Sequence, residues 1–329
     1  MPEGPEVRKY ADQLAAVLTN RPLVAIEART REAKAWLKEE GNRLSGRQVL
    51  RVVSHGKHLI GYIEGGFYFH SHLMMWGRWQ TYREVRSQDS DRVHVVAGTT
   101  NREVSRQATP PTIFPEKDRR ERARIVVDGS AAVLLSAPIF DVGEGDPYEQ
   151  IENLGSLGPD VLPYPDAYGA PVAFDKKEFR RRLLLPEHLQ TTIGAALLNQ
   201  QILAGLGNYL RAEVLFGCGV NPWRKVGELN KRELSCISRI APELAGRAYV
   251  FNTIATEEDR QRMTVDPSLV YQPGREYGTR HLVFRRTNLP CLRCGETIKQ
   301  LRQVTHNSGD GEEERTRIVY FCPKCQGVH

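Results

Sequence analysis

Residues 1–10 read Met-Pro-Glu-Gly-Pro-Glu-Val-Arg-Lys-Tyr, and they open the segment whose reading sets the organisation of the chain. Val7, Tyr10, Ala11, Leu14 and Leu18 keep the i, i+3, i+4, i+7, i+11 spacing of one helical face, which predicts an amphipathic helix over 5–19. Pro5 in the first turn needs no N–H partner, and Glu6 beside it faces the positive helix end. Glu6 is therefore a helix-dipole partner or a support for whatever site the first residues build. Beyond the helix the texture changes to short β-branched and aromatic runs. These are VLRVVSH at 49–55, HLIGYIE at 58–64, FYFHSHL at 67–73, RWQTY at 78–82, VHVVA at 93–97, RIVVD at 124–128 and AVLLS at 132–136. Turn-forming spacers between them argue an antiparallel sandwich or barrel.

Residues 137–174 are dense in Pro and Gly and read as an interdomain linker. From Asp175 to 274 the pattern is helical, through KKEFRRRLLL, TTIGAALLNQ, NYLRAEVLFG and NKRELSCISRIAPELAGRAYVF, with a charged helix or loop at 256–263. The last stretch, 275–329, holds ten Lys/Arg against six Asp/Glu, and four of those acids sit in one loop at Asp310, Glu312, Glu313 and Glu314. That loop reads as a solvated insertion. No internal repeat is present.

A chain of 329 residues predicts two domains at about 150 residues each. With 26% charged and 40% hydrophobic residues it has the balance of a globular protein, not of a disordered or collagenous one. A net charge of +6 mildly favours a polyanionic partner. No run of about 18 apolar residues suggests a membrane span, and the acidic, Pro-interrupted start is unlike a signal peptide. The expectation is an intracellular protein, cytoplasmic and nucleoid-associated if the source is bacterial.

Of six cysteines, four form the pairs Cys291-x-x-Cys294 and Cys322-x-x-Cys325. Two such knuckles can set four thiolates tetrahedrally around one Zn²⁺, and four protein ligands leave no open position, so the metal would be structural. The bland alternative is four unliganded thiols. IKQLRQVT and RTRIVYF between the pairs read as two strands of a zinc-bound β-hairpin. Cys218 and Cys236 fall in helical segments and read as core thiols. Gly205 and Gly207 directly precede a helix that starts at Asn208, a turn that offers backbone N–H groups to a phosphate or that simply packs a helix corner.

The start MPEGPEV resembles that of the formamidopyrimidine-DNA glycosylase/endonuclease VIII family. The resemblance recurs in order at Lys57 in HGKHL, in HLMMWG at 72–77, LGPDVL at 157–162, GLGNYLRAE at 205–213 and the hairpin ending FCPKCQ. It implies an α+β multidomain fold: an N-terminal antiparallel β-sandwich with a leading helix over 1–136, a helical helix-two-turns-helix domain over 175–274, and a zinc β-hairpin over 275–329, with DNA in the cleft. It implies removal of Met1, a nucleophilic Pro2 amine and a catalytic Glu3. A secondary amine that attacks C1′ gives an iminium ion that cannot shed an N–H proton, so the sugar stays an electron sink. An ordinary α-amine titrates near pH 8, which leaves a neutral fraction for attack. A neighbouring carboxylate could protonate the ring oxygen and then shuttle protons during β- and δ-elimination.

By the same resemblance Lys57 and Asn208 would hold phosphates flanking the lesion, and Arg317 would grip those of the everted nucleotide, with Arg315 as competing candidate. Met75 would fill the hole left by the everted base, and Glu213 matches a glutamate near the lesion pocket or is a surface acid. The implied partner is damaged double-stranded DNA, bound by a monomer without a membrane. The 27 residues between the zinc pairs exceed the usual hairpin, and the acidic loop inside should point away from DNA. Where the purine-directed branch carries an Arg-Arg-Phe segment, this chain reads Ser136-Ala-Pro-Ile-Phe-Asp141, without arginine but with Phe140 as a candidate wedge. Gly4 and GLGNYLR also look more like endonuclease VIII. Oxidised pyrimidines are the expected substrates. The rival expectation is a non-catalytic zinc protein that binds DNA or RNA on the same fold.

Overall fold

The computed structural model describes residues 2–86, 93–97, 103–104, 117–166, 169–271, 276–306 and 315–328. The acidic loop 310–314 lies outside the described residues. Two compact units result: Met1–Pro2 with Glu6–Gly155, and Glu3–Pro5 with Ser156–His329.

Helix α1 (Gly4–Leu18), whose residues from Glu6 onward belong to the first unit, buries Val7, Ala11, Leu14 and Leu18 of the face that the spacing selected and leaves Tyr10 half-buried. Next come β1 (Leu23–Ala28), α2 (Arg31–Glu40), β2 (Val49–His55), β3 (His58–Ile63), β4 (Phe67–His72), β5 (Arg78–Arg86), β6 (Val93–Ala97), β7 (Glu103–Val104), β8 (Glu121–Val127), β9 (Ser130–Leu135), β10 (Ile139–Glu144) and α3 (Pro147–Gln150). One sheet runs β1-β8-β9-β5-β6-β7 and the other β10-β4-β3-β2, all pairs antiparallel. Every residue of β9, SAAVLL, is buried, as expected of a strand covered on both faces. Phe69, Trp79 and Phe140 pack ring to ring in the core with centroids 6.1–6.4 Å apart, and the Trp79 indole N–H reaches the Ser71 hydroxyl at 3.1 Å.

Two expectations change here. The stretch 137–174 does not begin as a linker: Ile139–Glu144 pairs with β4 along its full length, and Pro147 starts α3 under an Asp146 cap. The division into units falls within that stretch, at Gly155/Ser156. Phe140 is fully buried between Phe69 and Trp79, so it cannot wedge into DNA.

The second unit holds α4 (Lys176–Leu183), α5 (Ile193–Ala196), α6 (Asn208–Cys218), α7 (Lys231–Phe251), α8 (Glu257–Val265), β11 (Lys299–His306), β12 (Arg315–Phe321) and α9 (Pro323–Gln326). Asn230 caps α7 in a reciprocal box with Glu233. The predicted 191–200 helix shortens to the single turn Ile193–Ala196, whose neighbours form turns. Residues 256–263 resolve as helix: Thr256 caps α8 through Asp259. Cys218 and Cys236 are not free core thiols. Cys218 ends α6 and Cys236 lies on α7 at a Cα separation of 5.7 Å, and they form a disulfide.

Candidate active site

Gly205 adopts φ +95, which a side chain would resist, and turns the chain so that Gly207 caps α6 in an extended conformation. The free N–H groups of the first α6 turn then converge on one acceptor. Glu3 is 2% exposed, and its carboxylate accepts from the N–H groups of Gly207 (2.8 Å), Tyr209 (2.8 Å) and Leu210 (3.2 Å). The phosphate seat foreseen at this helix start is thus filled by the protein's own carboxylate, placed where the helix dipole favours an anion. The Gly4 N–H donates to the Gly205 carbonyl at 2.8 Å and pins the segment. Pro2, half-buried, is joined to Glu3 by one peptide bond.

Asn208 opens α6, half-buried, and its Oδ1 accepts from Arg211 Nη2 at 2.6 Å. Arg211 is fully buried. Its other bonds run to the carbonyls of Gly194 and Ile318 and to Gln303 Oε1. Burial lowers its guanidinium to about 10, against the pull of the Glu3 charge and with repulsion from Arg317, so it stays cationic at neutral pH. One side chain thus ties the start of α6 to β12, which carries Arg315 and Arg317. Both of these are exposed, and Arg317 faces Gln303 across the ladder.

Glu213 is neither a surface acid nor accessible to a ligand. It is fully buried, and its carboxylate accepts from the N–H groups of Leu282, Val283 and Phe284 at 2.8–3.1 Å. Burial raises its pKa, opposed by those N–H groups and by the charge of Arg286, itself buried and bonded to three carbonyls. The pair fixes the chain that leads into the cysteine pairs.

Cys291, Cys294, Cys322 and Cys325 place their sulfurs within 4.8 Å of one another, with separations of 3.4 Å (Cys294–Cys325), 3.5 Å (Cys294–Cys322) and 3.9 Å (Cys291–Cys325). A tetrahedral ion with sulfur ligands at about 2.3 Å sets sulfurs about 3.8 Å apart, so this donor set can hold a metal ion. Burial pushes the Cys322 thiol up to about 11, a cost that a cation would reverse. The Cys322 N–H donates to Gln326 Oε1 at 2.9 Å, and Gln326 Nε2 donates to the Val220 carbonyl at 2.9 Å, which ties the knuckle to the end of α6.

In the first unit Lys57 occupies the two-residue turn between β2 and β3, half-buried, after Gly56 at φ +57. Met75 is 58% exposed in the turn after β4, between Met74 (44%) and Trp76 (76%). The three apolar side chains thus stand exposed in succession in one turn. Glu6 lies in the first turn of α1, half-buried. Sequence reading missed Arg211, Trp76 and the cluster of histidines around Lys57. Arg211 sits three residues after Asn208 on a mostly apolar helix, and the histidines recur at alternating positions 70 and 72, signals that were present.

Residues 1–110 match the profile of the formamidopyrimidine-DNA glycosylase N-terminal domain and residues 170–256 that of the formamidopyrimidine-DNA glycosylase H2TH domain. Curated relatives named endonuclease 8 align over 328 residues, 99% of this chain and 100% of theirs, at 29% identity for Pectobacterium atrosepticum and 28% for Klebsiella pneumoniae. Among solved structures, the Lactococcus lactis Fpg in complex with abasic-site DNA superposes with a TM-score of 0.66 at 19% identity, covering 98% of this chain and 99% of that one. The same enzyme with N7-benzyl-Fapy-dG DNA gives 0.66 at 19%, covering 99% of each. At that identity the likeness shows the fold.

Proposed function

Given that the chain belongs to the formamidopyrimidine-DNA glycosylase/endonuclease VIII family, we propose that it is a bifunctional DNA glycosylase and abasic-site lyase of base-excision repair. The observation that carries this reading is Glu3: a carboxylate one residue from a proline amine, buried and held by three N–H groups of the α6 start. Once Met1 is removed, the Pro2 nitrogen attacks C1′ of the damaged nucleoside. The glycosidic bond breaks with its electron pair on the base, the C1′–O4′ bond then opens with its pair on the ring oxygen, which takes up a proton, and an iminium links enzyme to sugar. Loss of a C2′ proton expels the 3′ phosphate. A second elimination expels the 5′ phosphate and leaves a one-nucleotide gap. Glu3 handles protons at the ring oxygen from a position fixed by the helix.

Lys57, Asn208 and Arg317 hold backbone phosphates of damaged double-stranded DNA, bound by a monomer, and Arg315 adds charge beside Arg317. Met75, with Met74 and Trp76 beside it, fills the space left by the everted base, whose extrusion costs a few kcal/mol of stacking. The four cysteines hold one structural Zn²⁺, which organises the strands carrying Arg315 and Arg317 and takes no part in the chemistry. Lesion choice rests on Ser136–Asp141, where no arginine is available to read the opposite base and Phe140 is buried. Oxidised pyrimidines and hydantoins are therefore the substrates, with weak discrimination of the opposite base.

Borohydride trapping with the Met-free protein tests the chemistry: a covalent adduct with abasic or oxidised-base DNA is expected. DNA binding without an adduct would favour a non-catalytic zinc protein on this fold. Single-turnover rates on thymine glycol, dihydrouracil and 8-oxoguanine opposite cytosine test the lesion class. A marked preference for 8-oxoguanine would overturn it.

A further inference from the structure

The histidines around Lys57 take no part in the elimination chemistry. Cross-strand pairing sets Asp141 of β10 opposite His70 of β4, and His58 of β3 opposite His72 of β4, so His58 and His70 are diagonal neighbours. The His70 ring, 1% exposed, is bonded at both nitrogens: Nδ1 lies 2.9 Å from Asp141 Oδ2 and Nε2 lies 2.9 Å from His58 Nδ1. The His58 ring stands edge-on to His72 with centroids 4.9 Å apart, and His72 Nδ1 accepts from the Met74 N–H at 3.2 Å. At the other post of the Lys57 turn, His55 Nδ1 lies 3.1 Å from the Tyr148 hydroxyl.

With both rings neutral, the hydrogen bonds from His58 to Asp141 can run in only one direction. An ionised carboxylate only accepts, so His70 Nδ1 bears the hydrogen and His70 Nε2 is bare. The hydrogen between the rings must then sit on His58 Nδ1, which leaves His58 Nε2 as a lone pair. The groups facing His58 are basic: His70 and His72 from β4, His55 and Lys57 from its own hairpin, with Asp141 reached through His70. Burial first, and then these neighbours, hold His58 down at about 2, and burial with His70 and Lys57 holds His72 at about 4.

We propose that Asp141, His70 and His58 form a directional positioning relay that locks His58 in its Nδ1–H tautomer and so fixes the β2–β3 turn from which Lys57, its neighbour in the chain, meets a DNA phosphate. This deepens the DNA glycosylase reading and rests on it for the identity of the phosphate. The free side chain in water favours the opposite tautomer, Nε2–H, so the relay leaves a signature that mere packing would not.

Long-range proton–nitrogen correlation spectra of the histidine-labelled full chain read the tautomers directly. His58 is expected with hydrogen on Nδ1 and a bare Nε2, and with hydrogen on Nε2 in His70→Leu. In the same variant, affinity for a duplex carrying a tetrahydrofuran abasic analogue should fall about tenfold, the loss expected for one misaimed charged hydrogen bond. His70→Gln, whose amide donates to Asp141 and accepts from His58, should restore both tautomer and affinity. If His70→Leu does not fold, Asp141→Leu at the more exposed end breaks the same relay. An Nε2–H His58 in the wild-type chain, or unchanged affinity in the broken relay, overturns the proposal. Borohydride trapping on the same samples separates the claims, because a wild-type chain that traps no adduct overturns the glycosylase reading whatever the tautomer.

Discussion

A β-carbon on Gly207 would lie 2.5 Å from both Cδ and Oε1 of Glu3, so the acid and the absent side chain occupy the same space. Gly207→Ala must displace the carboxylate from its three N–H donors. The expected result is a folded protein with at least about 10²-fold slower abasic-site cleavage, within the range that a positioned acid–base group supplies. Glu3→Gln should lose as much while keeping the shape, since its NH₂ would meet N–H groups. Single-turnover cleavage alongside circular dichroism checks both, and near-wild-type rates in Gly207→Ala would disprove the role given to this contact.

Metal content offers an independent check on the cysteine cluster. One zinc per chain is expected in freshly purified protein, released in Cys322→Ser. The variant should bind duplex DNA at least about tenfold more weakly through loss of order around Arg317, while the β-sheets of the first unit keep their circular dichroism. Protein free of metal yet fully able to bind would refute this.

Affinity should fall by about a decade or more between 50 and 200 mM salt, as it does when a few phosphates are neutralised. Lys57→Ala and Arg317→Ala should each lower the log–log salt slope by about 1 and leave lesion preference alone. Fluorescence anisotropy titrations at several salt concentrations measure this. A slope unchanged in both variants would mean that neither side chain meets a phosphate.

Acid should destabilise the second unit through His281. Its ring packs among Tyr209 and Phe284, and burial first, then Arg280 and Arg285, lower it to about 3. A folded pKa below the unfolded value near 6.5 means that the unfolded chain takes up the proton first. Stability is then complete above about pH 6.5 and lost as pH falls toward 3. Thermal midpoints should decline across that window, and His281→Phe should flatten the decline. Equal slopes in both proteins would exclude His281 as the source.

Short contiguous motifs were legible because their chemistry is local. Pro2-Glu3, the paired CxxC knuckles and the glycines before Asn208 specify a nucleophile with its acid, a metal-ligand set and a helix start without knowledge of the fold. The strands β2 to β6, β8 and β9 were legible from texture for the same reason, whereas β1 and the two-residue β7 were not. Residues whose meaning comes from packing were not. Pro138, Gly143 and Gly145 punctuate Ile139–Glu144 as though it were linker, yet pairing with β4 makes it a strand and buries Phe140. Glu213 reads as a helix-surface acid until the 282–284 backbone closes over it. The approach of Cys218 to Cys236 depends on how α6 lies against α7, which no spacing encodes.

Helix α6 answers to four masters within eleven residues. Its first turn seats Glu3, Arg211 reaches β12, Glu213 clamps the 282–284 backbone and Cys218 is bonded to α7. Eight of its residues are buried, so it has almost no free face on which substitutions can accumulate. Such an element can change only in concert with several partners at once. Sequence change is therefore channelled away from it, toward exposed turns such as Met74–Trp76, whose side chains stand in solvent.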